Sequence, residues 1–476
     1  MSTLKRFLQD TVLYGLATVV PRLMNFILVP LHTDKLNTVS YSDNTTFYVY
    51  AAFFNVLLTY GMETSFFRMF SIKKNKEKVF STVLLSLTVT TLLFFVVAWG
   101  FNNSLAQTVE LKLEYFNYLL GVLVLDTLVV APFAYLRATG RPIRFASYKL
   151  LNITVYFLLN LFFLWAIPKF NIDFKFYNNN DKVQYIFIAN LAASAVTFIF
   201  LIPYLFKTKL NFDIKIFKEL INYGWPIMVA GLAFVVNENL DKLMLKDMLD
   251  KDIMGAYSGC YKLAVFMTLF IQAFRLGAEP FFFNHAKEKN AKTVYAVILK
   301  YFVIVAAFGF LFIVVYIDIF KEQFIRNASY WKALEIVPVI LLANLCLGIY
   351  HNLSIWYKLT DKTRYGMYIS LFGAFITILF NYFMIPVIGF MASAWATLIA
   401  YGGMMIISYV LGKKHYNVPY EISKITFYLL ISILSVYFSF YLFRGNYLIG
   451  TGLLLLFLGI VYIFEKKELQ KLFVKK

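Results

Sequence analysis

The sequence predicts an all-α, polytopic membrane protein of about fourteen transmembrane helices, and three observations carry that prediction. Of 476 residues, 61% are apolar and 15% are charged, where a soluble globule carries about 25% charged residues. The apolar residues gather into stretches of about 20, the length that crosses a bilayer as a helix. The Lys and Arg residues concentrate in alternate connecting loops. A net charge of +19 would suggest nucleic acid in a soluble chain. Here loop topology and anionic lipid account for it, and no nucleic acid partner is expected.

Taken in order, the spans run over about 11–31, 45–67, 79–101, 115–136, 146–168, 184–206 and 220–245, then 254–283, 293–317, 333–356, 366–385, 390–412, 424–443 and 447–464. Lys5 and Arg6 precede the first span, and no small-residue cleavage site follows it. It therefore reads as a retained helix rather than a signal peptide. With the N-terminus inside, the inner loops hold 28 Lys and Arg and the outer loops 10. The positive-inside rule then places both termini in the cytoplasm. Cys260 and Cys346 lie inside apolar spans, and His32, His285, His351 and His415 are scattered singly. No disulfide framework, metal site or cofactor site follows from them.

The two halves resemble each other. Tyr14-Gly15 and Tyr223-Gly224 open spans one and seven, and Asp34-Lys35-Leu36 matches Asp241-Lys242-Leu243. Glu63 ends span two as Glu279 ends span eight. At an offset of 221, Arg137 matches Lys358 and Asn160 matches Asn381. Six spans against six gives the halves the same orientation, a parallel repeat with a site expected between them. The division is an N-terminal lobe over 1–210, a C-terminal lobe over 211–415, and spans thirteen and fourteen with a basic cytoplasmic tail over 416–476.

Polar residues recur at helical spacing inside the spans. Thr268, Gln272, Arg275 and Glu279 share one face, with Lys262 on its edge. Tyr48, Asn55, Thr59 and Glu63 form a second stripe, and Lys149, Asn152, Tyr156 and Asn160 a third. Ser370, Thr377 and Asn381 form a fourth. A charge at mid-membrane costs roughly 2.5–3.5 kcal/mol on insertion scales, so these stripes predict a water-filled lumen. The alternatives are Asn and Thr acting as glue between helices and Arg275 neutralised by Glu279 four residues on. Pro21 and Pro30 bracket Arg22, and Pro226 and Gly231 sit correspondingly in span seven. These predict either bending during transport or static kinks.

The stretches Asn222-Tyr223-Gly224-Trp225-Pro226, Asp241-Lys242-Leu243-Met244-Leu245 and Gly255-Ala256-Tyr257-Ser258 resemble the polysaccharide-transporter branch of the multidrug/oligosaccharidyl-lipid/polysaccharide exporter superfamily. So do Tyr60-Gly61-Met62-Glu63-Thr64-Ser65-Phe66-Phe67-Arg68, the turn Ile385-Pro386-Val387-Ile388-Gly389 and the early Arg22. The resemblance implies a flippase, not an enzyme. It would carry an undecaprenyl-pyrophosphate-linked oligosaccharide, such as an O-antigen unit, across the bacterial inner membrane by alternating access of two lobes. It also implies contact with membrane lipid and with polysaccharide polymerase or ligase machinery. Related lipid II flippases carry an Arg-Asp pair in span one. Here Pro21-Arg22-Leu23 lacks the acid, so only Arg22 is carried over. Spans thirteen and fourteen then serve as a groove for the lipid tail or as bracing.

On this reading Arg22, Lys262 and Arg275 bind pyrophosphate through charge-assisted hydrogen bonds. Asn25, Tyr48, Asn55, Lys149, Asn152, Tyr156 and Asn381 face the glycan. Glu63, Glu238, Asp241 and Glu279 either couple transport to an ion or hold the cations of an empty cavity. The nearest rival is a cation-coupled, multidrug-type exporter of the same superfamily. A membrane enzyme would need catalytic residues in a substantial outer loop. The longest, about 169–183, is short and offers Asp173 and Asp181 without a constellation, and no Walker A sequence occurs.

Overall fold

The computed structural model describes residues 15, 17–175, 177–206, 209–286, 288–360 and 362–474, and no strand occurs among them. Among the described residues, twelve helices are long and apolar enough to cross a membrane, from Lys76–Gly100 to Tyr447–Lys466. They correspond to expected spans three to fourteen. Expected span two is the helix Thr38–Thr59, which has 22 residues. Its length suffices, but Ser40, Asp43, Asn44, Thr45 and Thr46 make its first turns polar. Expected span one begins outside the described residues; its described part is helical over 17–27 and continues as the short helix Val29–Lys35.

Local chemistry sets the ends of these helices. The Asn37 side chain accepts from Ser40 N–H and opens Thr38–Thr59. Asn75 does the same through Lys78 N–H for Lys76–Gly100. Asp213 caps Ile214–Val235 by accepting from Lys215 N–H at 2.8 Å and Ile216 N–H at 3.1 Å. Its carboxylate also pairs with Lys78 at 2.8 Å. That ammonium, and next the Ile216 N–H, hold the Asp213 carboxyl down at about 2. Tyr60 and Gly61 adopt left-handed backbone at φ 32° and 75° and separate Thr38–Thr59 from Met62–Ile72.

The chain forms two compact units that divide between Ser258 and Gly259. In the first, a core of Met62, Phe66, Val79, Phe80, Val83 and Leu84 takes in Ile216 and Leu220 at the start of span seven. Gly224 allows this approach. A Cβ there would lie 2.8 Å from Tyr60 O and 2.9 Å from Ser65 Oγ, distances that real Cβ atoms do not show. In the second unit the helix Ile336–Leu353 is the centre. Its Ala343, Cys346 and Tyr350 pack with Trp356, Ile369, Ala400 and Tyr401. Lys300, fully buried, lies 2.8, 2.9 and 2.6 Å from Glu421, Glu465 and Glu468, tying spans nine, thirteen and fourteen together.

Two repeat-matched asparagines take the same geometry within their own units. Asn160 and Asn381 are both fully buried. Each donates its Nδ2 to the carbonyl four residues back, Tyr156 O and Thr377 O, at 2.8 Å. Each also uses its Oδ1 to reach another helix: His32 Nε2 at 2.9 Å for Asn160, and the Ser393 hydroxyl, which donates at 2.6 Å, for Asn381.

Gly224→Leu should overpack its contact and cost about 1–3 kcal/mol, read as a lower Tm of the detergent-solubilised protein. Gly452→Leu, where a Cβ meets nothing within 4 Å, should leave Tm unchanged. Asp213 has a folded pKa of about 2, below the ordinary value of about 3.9. Its contribution is therefore complete above pH ~4 and lost as pH falls through the folded value. The Tm difference between wild type and Asp213→Ala should be constant near neutrality and shrink across that window.

Candidate functional site

The first unit encloses a cavity of about 740 Å³. Helical spacing aims polar side chains into it from four spans. Asn55 and Thr59 come from Thr38–Thr59, and Asp126 from Leu113–Leu128. Lys149 and Asn152 come from Pro142–Leu161, and Asn190, Ser194 and Thr197 from Val183–Leu205. Ile227, Met228 and Gly231 of Ile214–Val235 supply an apolar wall. Glu63 and Arg137 also line the cavity and pair at 2.8 Å.

Within it, Ser194 Oγ donates to Asp126 at 2.7 Å, and Asn152 Nδ2 donates to Thr197 Oγ1 at 2.9 Å. The Lys149 ammonium stands 4.4 Å from the centroid of the Phe133 ring. The Arg137 guanidinium lies 4.9 Å from the Phe67 centroid. No carboxylate lies within ion-pair distance of Lys149, and no cation within that distance of Asp126, among the described residues. The cavity thus offers one cation and one carboxylate without a salt bridge, three amides and four hydroxyls, Thr64 being the fourth. Such a lining can exchange hydrogen bonds with hydroxyl groups and meet charge of either sign.

The other expected residues fall elsewhere. Tyr48 and Tyr156 join hydroxyl to hydroxyl at 3.1 Å and do not line the cavity. Asn381 has both ends of its amide bonded, Nδ2 within its own helix and Oδ1 to Ser393 of the next. Arg22 and Asn25 are exposed on the helix over 17–27. Glu238 lies in the π-helical turn Val236–Leu240 that precedes Asp241. Asp241 and Lys242 are buried and pair at 3.0 Å. Tyr257 OH donates to the other Asp241 oxygen at 2.9 Å, and Lys242 Nζ donates to Glu238 O at 2.6 Å.

In the second unit, span eight is interrupted by the 3₁₀ turn Lys262–Ala264, so Lys262 marks a change of helix geometry. Beyond it, Glu279 accepts from two cations: Arg275 Nη2 at 3.2 Å and Lys358 Nζ at 2.7 Å. Arg275 Nη1 also sits 3.4 Å from His351 Nε2. Glu279–Lys358 occupies the repeat position of Glu63–Arg137, so one ion pair recurs in both units.

Asp126 escaped the sequence reading, although it is an acid alone in an apolar span and thus costly to insert. Asn190, Ser194 and Thr197 escaped it too, yet spacings of four and three make them a further stripe. The pairing of Glu279 with Lys358 was implicit in the repeat, since both members of each pair were already matched there.

The family model for polysaccharide biosynthesis proteins matches residues 7–278. The chain belongs to that family. A second model, MatE, matches residues 226–383 of this family member. No curated protein sequence matches it. Among solved structures, the lipid II flippase MurJ in an inward closed conformation superposes at TM-score 0.72 and 15% identity, covering 96% of this chain and all 100% of MurJ. An inward-facing multidrug resistance MATE transporter of the MOP superfamily gives 0.66 at 12% identity, covering 88% and 99% of the two chains. A MATE protein in the straight conformation gives 0.61 at 14%, covering 89% and 96%. At such identities the likeness is one of fold. This polysaccharide biosynthesis family member is therefore a multi-pass membrane protein by its helices and has the MurJ/MATE fold.

Lys242→Met would leave Asp241 buried with only Tyr257 for a partner. It should destabilise by about 3–5 kcal/mol, checked by thermal unfolding in detergent. Lys242→Met combined with Asp241→Leu should recover most of that loss.

Proposed function

We propose that this protein flips a polyprenyl-pyrophosphate-linked oligosaccharide, an undecaprenyl carrier in the bacterial inner membrane, as a step of surface polysaccharide synthesis. The observation that carries the reading is the cavity of the first unit. Its Lys149 has no ion-pair partner among the described residues, and amides and hydroxyls surround it. A pyrophosphate diester carries two negative charges, and hydrocarbon alone is prohibitive to them. Lys149 and Arg137 replace lost hydration with charge-assisted hydrogen bonds. Asp126, Asn55, Asn152 and Asn190 exchange hydrogen bonds with sugar hydroxyls as the cavity opens to one side and then the other. Arg275 and Lys358 form a second cationic station, held by Glu279 until phosphate displaces it. Arg22, Lys262 and Asn25 complete the polar route. The lobes over 1–210 and 211–415 alternate access, and both termini lie in the cytoplasm. Polymerase or ligase machinery takes the product on the far side.

Glu63, Asp241 and Glu279 each hold a cation by a direct ion pair. That favours a holding role for them over ion coupling; Glu238 stays a coupling candidate. One observation favours a cation-coupled exporter instead: Asp126 is bonded to Ser194 and to no cation.

The test uses a strain lacking the gene, complemented with wild type, Lys149→Ala or Arg275→Ala, and mass spectrometry of extracted lipid-linked oligosaccharide. A lost charge-assisted bond is worth about 1.5–3 kcal/mol, a slowing of about ten- to a hundredfold. Lipid-linked oligosaccharide should accumulate in the deletion and both variants and clear with wild type. No accumulation in the deletion, with drug sensitivity raised, would establish the exporter.

A further inference from the structure

A second cavity, of about 420 Å³, lies between Thr38–Thr59, Lys76–Gly100, Asn102–Thr108 and Leu113–Leu128. It shares no lining residue with the polar cavity, and each side chain that lines it is hydrophobic. Phe116 and Leu120 form its floor at 3% and 0% exposure. Leu93 and Val97 form its mouth at 63% and 59%. They belong to a row with Val89, Leu92 and Val96, exposed along one face of the same helix. In a transmembrane helix such a face meets lipid. The cavity is therefore a side pocket of the bilayer.

We propose that this pocket holds one fatty acyl chain of a membrane phospholipid. Water is excluded, because a buried water needs two to four polar partners and none is offered. A void would forfeit the dispersion contacts of its walls. Hydrocarbon is the remaining occupant, and volume decides which kind. An apolar cavity of ~150 Å³ takes benzene, with six carbons. This pocket is nearly three times larger, room for about seventeen carbons on that scale. That is the length of a fatty acyl chain and about a third of an undecaprenyl chain. The site wedges a lipid between spans two, three and four, and spans two and four line the polar cavity with other residues.

The test reconstitutes the full-length protein in phospholipid vesicles doped with a phospholipid bearing a diazirine near its acyl midpoint. Adducts are mapped by mass spectrometry after photolysis. Adducts should form on Phe116 and Leu120 as well as on exposed Val96. When photolysis follows detergent solubilisation, Phe116 should keep its adduct while Val96 loses at least nine-tenths of its own. The pocket-filling variants Ala98→Phe and Leu105→Trp should each lower Phe116 labelling at least tenfold with Val96 labelling unchanged. Labelling confined to Val96, loss of the Phe116 adduct in detergent together with that of Val96, or Phe116 labelling by a diazirine polyprenyl phosphate and not by the phospholipid would each overturn the assignment.

Discussion

A charge inside hydrocarbon must be paired or wet, and the architecture of each unit follows from that constraint. Lys300 is fully buried and has three carboxylates around it. Asp241 and Lys242 hold each other, with Tyr257 on the remaining oxygen. Glu63 and Glu279 hold Arg137 and Lys358. Lys149 and Asp126 have no such opposite charge bonded to them and face the large polar cavity instead. The same rule that makes Lys300 and the Asp241–Lys242 pair structural makes Lys149 and Asp126 candidates for ligand binding.

The same kind of ion pair serves both units. In each, an acid at the end of the second span of the repeat meets a cation that follows the fourth. The surroundings then diverge. In the first unit the pair borders an open cavity with aromatic rings around the guanidinium. In the second, Arg275 joins the same carboxylate and His351 packs beside it. Shared pairing with different neighbours gives each unit its own chemistry on a common frame.

Much of the fold was legible because its signals are local and redundant. Hydropathy placed spans three to fourteen, and the matches of Glu63 with Glu279 and Arg137 with Lys358 revealed the repeat. The lining of the polar cavity, a candidate site, was legible only in part. Asn55, Lys149 and Asn152 were found because their spacing marks a helix face. The same spacing also marked Tyr156, Asn160 and Asn381, whose side-chain oxygens are bonded to other helices. Spacing identifies a polar face but not what that face meets, since glue and lumen share one periodicity. Asp126 was missed for the opposite reason: it is the one charged residue in its span, with no stripe to announce it, and its significance comes from Ser194 and Lys149 on other helices.

The central claim is that the cavity around Lys149 carries the anionic glycan headgroup. The most direct measurement is flipping of a fluorescent polyprenyl-pyrophosphate oligosaccharide in proteoliposomes, followed by its accessibility to an externally added glycosidase. The account predicts that wild type delivers the glycan across the bilayer and that Lys149→Gln, with an unchanged Tm, slows delivery at least tenfold. A Lys149→Gln protein that flips the lipid at the wild-type rate would contradict it.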